Sequence, residues 1–193
     1  MKQADLINNM TDKEILLNLY ITQLIMLVGA LGLGWLFFDS WLDLFGLFKW
    51  EPFNIFVIGG GSAIIIILFE LLLEKVVPKN MLDDGGINER VFQNRSLLEI
   101  LILVTLISFA EELLFRGVLQ THFGIIPASI LFAIIHVRYL RKIILFFITI
   151  SLSFYLGWLY LMTENLLVPI FTHFTIDFVL GCILRFRKKE NQV

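Results

Sequence analysis

Three short polar motifs interrupt otherwise apolar stretches of this chain. Each joins two residues four positions apart, the spacing that places side chains on one face of an α-helix. They are Glu111-Glu112-x-x-x-Arg116, Phe132-x-x-x-His136 and His173-x-x-x-Asp177. A carboxylate and two imidazoles that converge in a partly wet cavity can deprotonate a water molecule, shuttle its proton and stabilise an oxyanion. Cleavage of an amide bond requires these steps.

The first motif gives its two carboxylates different surroundings. Glu112 and Arg116 lie at i and i+4, so they can form an ion pair, whereas Glu111 points about 100° away around the helix. An arginine that stays charged can therefore neutralise one carboxylate. The other then faces a cavity and exchanges a proton. The structural alternatives are an intramembrane ion pair with a spare glutamate, and histidines that only make interfacial hydrogen bonds.

The elements that carry these motifs are membrane-spanning helices. Of the 193 residues, 58% are hydrophobic and 17% charged, and such a chain has more apolar surface than a soluble core of its size could bury. About 20 apolar residues cross a bilayer core. Six segments fit: 15–38, 53–77, 97–121, 127–140, 142–162 and 166–184. The sequence predicts an all-α, polytopic membrane helix bundle with about six transmembrane helices, forming a single domain over residues 1–193.

Lysine and arginine residues gather on one side of this predicted bundle. Cytoplasmic loops of membrane proteins are enriched in these residues, so both termini are predicted to be cytoplasmic, in a multi-pass protein of the cell membrane. The expected partner is the lipid bilayer, with no nucleic acid, and no residue pattern specifies an oligomeric state. The residues on this side are Lys2, Lys13, Lys75, Lys79, Arg90, Arg95, Arg138, Arg141, Lys142, Arg185, Arg187, Lys188 and Lys189.

Around the motifs, the chain resembles the CPBP family, the CAAX proteases and bacteriocin-processing enzymes, also called the Abi family. The family's motifs occur here in order, and the ordered set is specific although any single motif would be weak. The resemblance covers roughly residues 97–181, which we take as the catalytic core. The matching stretches are Glu111-Glu112-Leu113-Leu114-Phe115-Arg116, Phe132-Ala133-Ile134-Ile135-His136 and His173-Phe174-Thr175-Ile176-Asp177.

The resemblance implies an intramembrane endopeptidase and a role for each motif residue. Glu111 would be the general base on the attacking water, assisted by His136. His173 and Asp177 would support the oxyanion. Glu112 and Arg116 would hold the catalytic helix in place. The supporting residues implied in this way are Glu112, Arg116 and Phe132.

Asp177 occupies a position where the family has either asparagine or aspartate. Asparagine can donate a hydrogen bond to an oxyanion, whereas ionised aspartate can only accept one. Asp177 is therefore protonated by burial, or it orients His173 by accepting its ring N–H, or it helps to bind a cation. We favour the orienting role.

Zinc is the one cofactor that the residue types suggest. Glu111, His136 and His173 could hold zinc with an open water position, and the family was long described as metal-dependent. The two histidines are dispersed along the chain and do not share one His-x-x-x-His turn. We favour water activation without a metal, and zinc stays the alternative.

The expected substrate is a membrane-associated or secreted peptide or protein, lipid-modified ones included. Six spans, a short chain and Ile/Phe/Asn-rich usage indicate a bacterial member, and bacterial relatives are associated with bacteriocin self-immunity and leader processing. The first alternative is a catalytically inactive member that binds a membrane partner as an immunity or regulatory protein. A proton-coupled transporter ranks below it, because neither paired repeats nor interrupted helices are apparent. A structural scaffold ranks last.

Overall fold

Helices form the whole architecture of this computed structural model, which describes residues 10–137, 139–140 and 142–187. No strand occurs among these residues, and the predicted all-α polytopic bundle is confirmed. Lys2, Arg138, Arg141, Lys188 and Lys189, which contribute to the predicted orientation, lie outside the described residues. The α-helices are α1 (Asp12–Phe37), α2 (Trp41–Phe45), α3 (Gly60–Val76), α4 (Lys79–Leu82), α5 (Ile87–Phe92), α6 (Leu97–Glu112), α7 (Thr121–Phe123), α8 (Ile125–Ile135), α9 (Ile143–Thr163) and α10 (Leu167–Phe186).

Four helices are long and apolar enough to cross a membrane. They are Asp12–Phe37, Phe53–Val76, Ile143–Thr163 and Leu167–Phe186, the second of which begins as a π-helix over Phe53–Gly59. Their outward faces carry large exposed apolar side chains, such as Ile25 in α1 and Ile65 in α3. Exposed apolar surface on this scale is what a lipid environment requires, because a soluble monomer rarely exposes contiguous apolar patches of more than a few hundred Å².

The predicted span 97–121 consists of three consecutive helical segments. It begins at Ser96, whose hydroxyl accepts a hydrogen bond from the Glu99 amide in a capping box. The α-helix α6 passes at Glu112 into a π-helix, Leu113–Gln120, and then into the short α7. The chain turns at Gly124, where φ is +84°, a backbone conformation that glycine adopts at little cost.

The predicted fourth span, 127–140, is wrong in its extent. Helix α8 has 11 residues and ends at Ile135, so it rises only ~16 Å, about half of the ~30 Å hydrocarbon core. His136 leaves the helical conformation, with φ −77° and ψ 55°. After His136, Val137, Tyr139 and Leu140 form turns. The chain then reaches the loop between α4 and α5, where Lys142 Nζ lies 3.8 Å from Asp83 Oδ2.

Both ends of the described chain lie at the same end of the bundle. Arg90 Nε donates a hydrogen bond of 2.7 Å to Asp12 Oδ1 at the start of α1. Arg187, just after α10, forms a two-pronged ion pair with Glu74 near the end of α3, with 2.8 Å between Nη2 and Oε2. This arrangement agrees with an even number of passes. The assignment of that end to the cytoplasm stays a prediction.

Helix α10 is central to the bundle and holds one side of the site in place. It packs against α3, α6 and α9. Thr172 in α10 donates hydrogen bonds to Gly59 O at 3.1 Å and to Val168 O at 2.8 Å, which fixes its height relative to the π-helix before α3. Helix α1 packs on the other side of α6 through a cluster that includes Ile15, Ile100 and Leu103.

Candidate active site

The three motifs line a single cavity of about 390 Å³ inside the bundle. Glu111 comes from α6, His136 from the end of α8, and His173 and Asp177 from α10. Side chains that are as many as 66 positions apart in the sequence therefore line one cavity. Among these four side chains, the structure gives one direct contact, between His173 and Asp177.

Glu111 is a buried carboxylate, 5% exposed, that lines this cavity. Its Oε1 accepts a hydrogen bond of 2.9 Å from Gln23 Nε2 in α1. No hydrogen bond to Glu111 Oε2 is found within the described residues, so this oxygen is free to accept one from a water molecule. The two carboxylate oxygens therefore have different surroundings, one bonded to Gln23 and one open to the cavity.

The predicted ion pair between Glu112 and Arg116 forms, and both side chains are fully buried. Arg116 Nε lies 3.2 Å from Glu112 Oε2, and Nη1 donates to Oε1 at 3.2 Å. The third guanidinium nitrogen donates to both Ser153 O and Ser153 Oγ in α9, at 3.0 Å each. The guanidinium also lies over the Phe132 ring, 4.6 Å from its centroid, so Arg116 joins α6, α8 and α9.

His173 lies between two carboxylates, Asp177, which the sequence predicts as its orienting partner, and Glu112, which the sequence did not pair with it. His173 Nδ1 lies 2.9 Å from Glu112 Oε1, and Nε2 lies 3.5 Å from Asp177 Oδ2. The second distance is longer than a normal hydrogen bond. Glu112 is the closer partner because the π-helix and α10 bring it against Nδ1, and Asp177 stands at the cavity side with its side chain 30% exposed.

His136 is half-buried at the point where α8 ends. Its Nδ1 lies 2.7 Å from the Phe132 carbonyl oxygen, and a carbonyl can only accept, so Nδ1 carries the hydrogen. In the neutral ring, Nε2 is then the basic nitrogen. The ring contacts Phe132 on one side and stacks on Tyr139 on the other. The termination of α8 thus leaves an oriented base at the cavity.

Gln23 and Glu70 are polar residues of the cavity lining that interact with motif residues and that the sequence did not single out. Gln23 bonds to Glu111, and Glu70 in α3 interacts electrostatically with Asp177. Glu70 had a detectable signal, since a carboxylate within an apolar span marks a functional position. Gln23 carried a weaker signal, because a single uncharged amide is tolerated in many spans.

The residues present do not form a metal site in this structure. Among the described residues, no group of three or more His, Cys, Asp or Glu side chains is arranged to hold a metal ion. Both ring nitrogens of His173 face carboxylates, and His136 Nδ1 faces a carbonyl oxygen. Glu111, His136 and His173, the trio considered for zinc, share the cavity without converging on one point.

The cavity reaches the end of the bundle that carries the basic loops. Its lining extends from Glu111 to Glu74, Leu82, Asn88 and Arg187. These last four residues lie at the ends of α3, α4, α5 and α10. This is the end of the bundle at which both ends of the described chain lie.

Comparison with known proteins agrees with this arrangement. A family model described as type II CAAX prenyl endopeptidase Rce1-like matches residues 93–179, a segment that contains all three motifs. The chain is 44% identical over 166 residues to a Bacillus subtilis protein described as "Uncharacterized protein YpbD", and the match covers 86% of this chain and 88% of that protein. No solved structure matches the chain. The protein therefore belongs to the Rce1-like family of type II CAAX prenyl endopeptidases, within the CPBP membrane proteases.

Proposed function

We propose that this protein is an intramembrane endopeptidase that hydrolyses peptide bonds by means of a water molecule activated by Glu111 and His136. The observation that carries the proposal is the shared cavity of about 390 Å³, which is lined by a buried carboxylate and two oriented imidazoles. An ionised carboxylate and a neutral imidazole at such a site can act as general bases.

Water activation uses the atoms that the surrounding contacts leave open. Glu111 Oε2 takes one proton from the water, and His136 Nε2 accepts a hydrogen bond from the other hydrogen. The water oxygen then bonds to the scissile carbonyl carbon, and the carbonyl oxygen becomes an oxyanion. Collapse of this intermediate breaks the C–N bond, and the proton held by Glu111 passes to the leaving nitrogen. The products are a carboxylate and an amine.

The oxyanion is stabilised by His173 in its protonated form. Nδ1 is held by Glu112 at 2.9 Å, which fixes the ring plane. Nε2 has only the long contact to Asp177, so it can donate to a new oxygen atom. Donors that are oriented before the reaction stabilise developing charge without reorganisation. Asp177 then stabilises the positive charge of the ring and is not itself the donor.

The proposed substrates are membrane-associated or secreted peptides that enter the cavity from its basic end, lipid-modified ones included. The proposed location is the plasma membrane of a bacterium, with this end in the cytoplasm. A CAAX-type tail, a bacteriocin-related peptide or a leader segment would each present an extended chain at the required depth. No step of the mechanism uses a metal ion.

The experiment is a cleavage assay on purified protein in nanodiscs. A quenched peptide library would include prenylated and hydrophobic leader peptides, and Glu111→Gln would be compared with wild type, each with a chelator and with added zinc. Cleavage by wild type alone, unchanged by the chelator, is the expected result. No cleavage by folded wild type would contradict the proposal and favour the inactive, partner-binding alternative.

A further inference from the structure

We propose that Gln23 is a positioning residue of the active site and that it fixes Glu111 for attack on the substrate. The inference rests on the proposed function. Gln23 lies in α1, outside the segment matched by the family model, and none of the three motifs includes it. Its Nε2 donates a hydrogen bond of 2.9 Å to Glu111 Oε1.

The bond is chemically specific. An amide NH₂ group can only donate, and a carboxylate can only accept, so the amide must turn its nitrogen toward Glu111. Gln23 is 4% exposed, and its Oε1 has no hydrogen-bond partner among the described residues. The bond to Glu111 is therefore the one polar contact that the structure gives this amide. A buried amide with a single partner is best explained by what it does to that partner.

The geometry gives the bond a consequence for catalysis. With Oε1 held by Gln23, the carboxylate cannot rotate freely, and Oε2 stays directed to one position. General bases are efficient only within a narrow range of distance and angle to the proton that they take. Rotation of an unheld Glu111 carboxylate would spread Oε2 over several positions, so the rate of the chemical step would fall.

The rigid placement of Gln23 comes from α1. The stretch before it contributes Ile15, Leu16, Leu19 and Tyr20 to a cluster with buried residues of α6. One helix face therefore both packs against α6 and presents the amide to Glu111. The first span, which the family motifs do not cover, completes the active site.

The test compares Gln23→Met with Thr22→Val in the nanodisc cleavage assay. Methionine keeps the length of glutamine but cannot donate. Thr22 lies next to Gln23 in α1 and is exposed, and its hydroxyl bonds to the Asn18 carbonyl of its own helix. We expect Gln23→Met to lower kcat on the order of 100-fold with KM unchanged, and to lower the melting temperature because Glu111 Oε1 loses its hydrogen-bond donor. Thr22→Val should match wild type in all three quantities.

The outcomes separate this inference from the proposed function. Cleavage by wild type together with an unchanged kcat for Gln23→Met would overturn the positioning role and leave the protease standing. No cleavage by wild type would overturn both. A raised KM with unchanged kcat would also overturn the inference, since it would indicate a substrate-binding role. If Gln23→Met does not fold, Gln23→Asn replaces it, because its shorter amide cannot reach Glu111 from the same backbone position.

Discussion

The charged groups of the site fall into two sets with different tasks. Arg116, Glu112, His173 and Asp177 form one connected set, and Glu70 interacts electrostatically with its Asp177. Glu111 is hydrogen-bonded to the neutral amide of Gln23 and interacts electrostatically with Arg116. Ionisable groups are expensive in a membrane, and the fold gives this one a hydrogen-bond donor and a cation.

The Arg116 network should make a large contribution to stability. Arg116→Ala would leave Glu112 buried without its guanidinium, and breaking a buried pair in this way typically costs about 3–5 kcal/mol. The matched control is Arg187→Ala, which breaks an exposed arginine–glutamate pair and should cost below about 1 kcal/mol. Denaturant-induced unfolding in detergent measures both. Equal losses for the two variants would contradict the role given to the network.

Asp177→Asn should keep cleavage activity. Asparagine preserves the shape and an acceptor oxygen beside His173 Nε2, so we expect a rate within about tenfold of wild type, a change in barrier of about 1.4 kcal/mol or less. Initial rates on a cleaved peptide measure this. Complete loss of activity in a folded variant would instead indicate that Asp177 binds a cation or transfers a proton.

Contacts within one motif could be predicted from the sequence, and contacts between distant segments could not. The Glu112–Arg116 pair follows from helical spacing alone. The bond from His173 to Glu112 joins residues 61 positions apart, and the bond from Gln23 to Glu111 joins residues 88 positions apart. Helical periodicity carries no information on which faces of distant helices meet, so the contact of His173 with Asp177, one turn away, could be predicted and its contact with Glu112 could not.

At the scale of the elements, the π-helix after Glu112 is the feature that brings the site together. Its wider turn directs Arg116 toward α9 and lets Thr121 Oγ1 bond back to the Arg116 carbonyl, five residues earlier. Single-turn π segments within α-helices are frequent at functional sites. Helix α9 approaches this segment at Gly157, whose carbonyl accepts a hydrogen bond of 2.7 Å from Gln120 Nε2.

This close approach makes Gly157 intolerant of a side chain. A Cβ at this position would lie 2.6 Å from Gln120 Oε1 and 2.9 Å from Ile125 Cγ1. Gly157→Ala should therefore destabilise the protein by about 1–3 kcal/mol. Gly29→Ala is the control, because a Cβ there meets no atom within 4 Å. Unfolding midpoints in detergent distinguish the two. A fully stable Gly157→Ala variant would contradict the packing described here.

Long helices could be predicted from composition, but the end of α8 could not. The segments near 15–38, 53–77, 142–162 and 166–184 all correspond to membrane-length helices, because long apolar runs leave few other structures in a bilayer. Val137 and Leu140 continue the apolar pattern after Ile135, so the sequence predicts helix there. In the structure this stretch is a turn, and His136 Nδ1 bonds to the carbonyl of Phe132.

At the scale of the whole molecule, the bundle has two chemically different ends. One carries the start of α1, the loop from α3 to α6 and the end of α10, and the cavity extends to it. At the other end, Asn165 joins the loop between α9 and α10 to the loop that contains Lys49. Its side chain donates to Lys49 O at 2.7 Å and accepts from Lys49 N at 3.3 Å. The described Arg90, Lys142 and Arg187 lie at the first end, and the compartment that this end faces stays a prediction.

The orientation can be tested with single cysteines and a membrane-impermeant maleimide. In a Cys182→Ala background, Glu89→Cys marks the basic end and Glu164→Cys marks the opposite one. We expect reaction at Glu164→Cys in intact cells, and reaction at Glu89→Cys only in inverted vesicles. The reverse pattern would place the basic end, and with it the entrance of the cavity, outside the cell.

The central claim is that Glu111 activates water for peptide hydrolysis, and one rate comparison tests it most directly. The kcat of wild type, Glu111→Gln and Glu89→Gln would be measured on the same cleaved peptide. Both substitutions turn a carboxylate into an isosteric amide, but Glu89 is exposed and does not line the cavity. We predict a loss on the order of 1,000-fold for Glu111→Gln and no change for Glu89→Gln. Wild-type kcat in a folded Glu111→Gln protein would contradict the account.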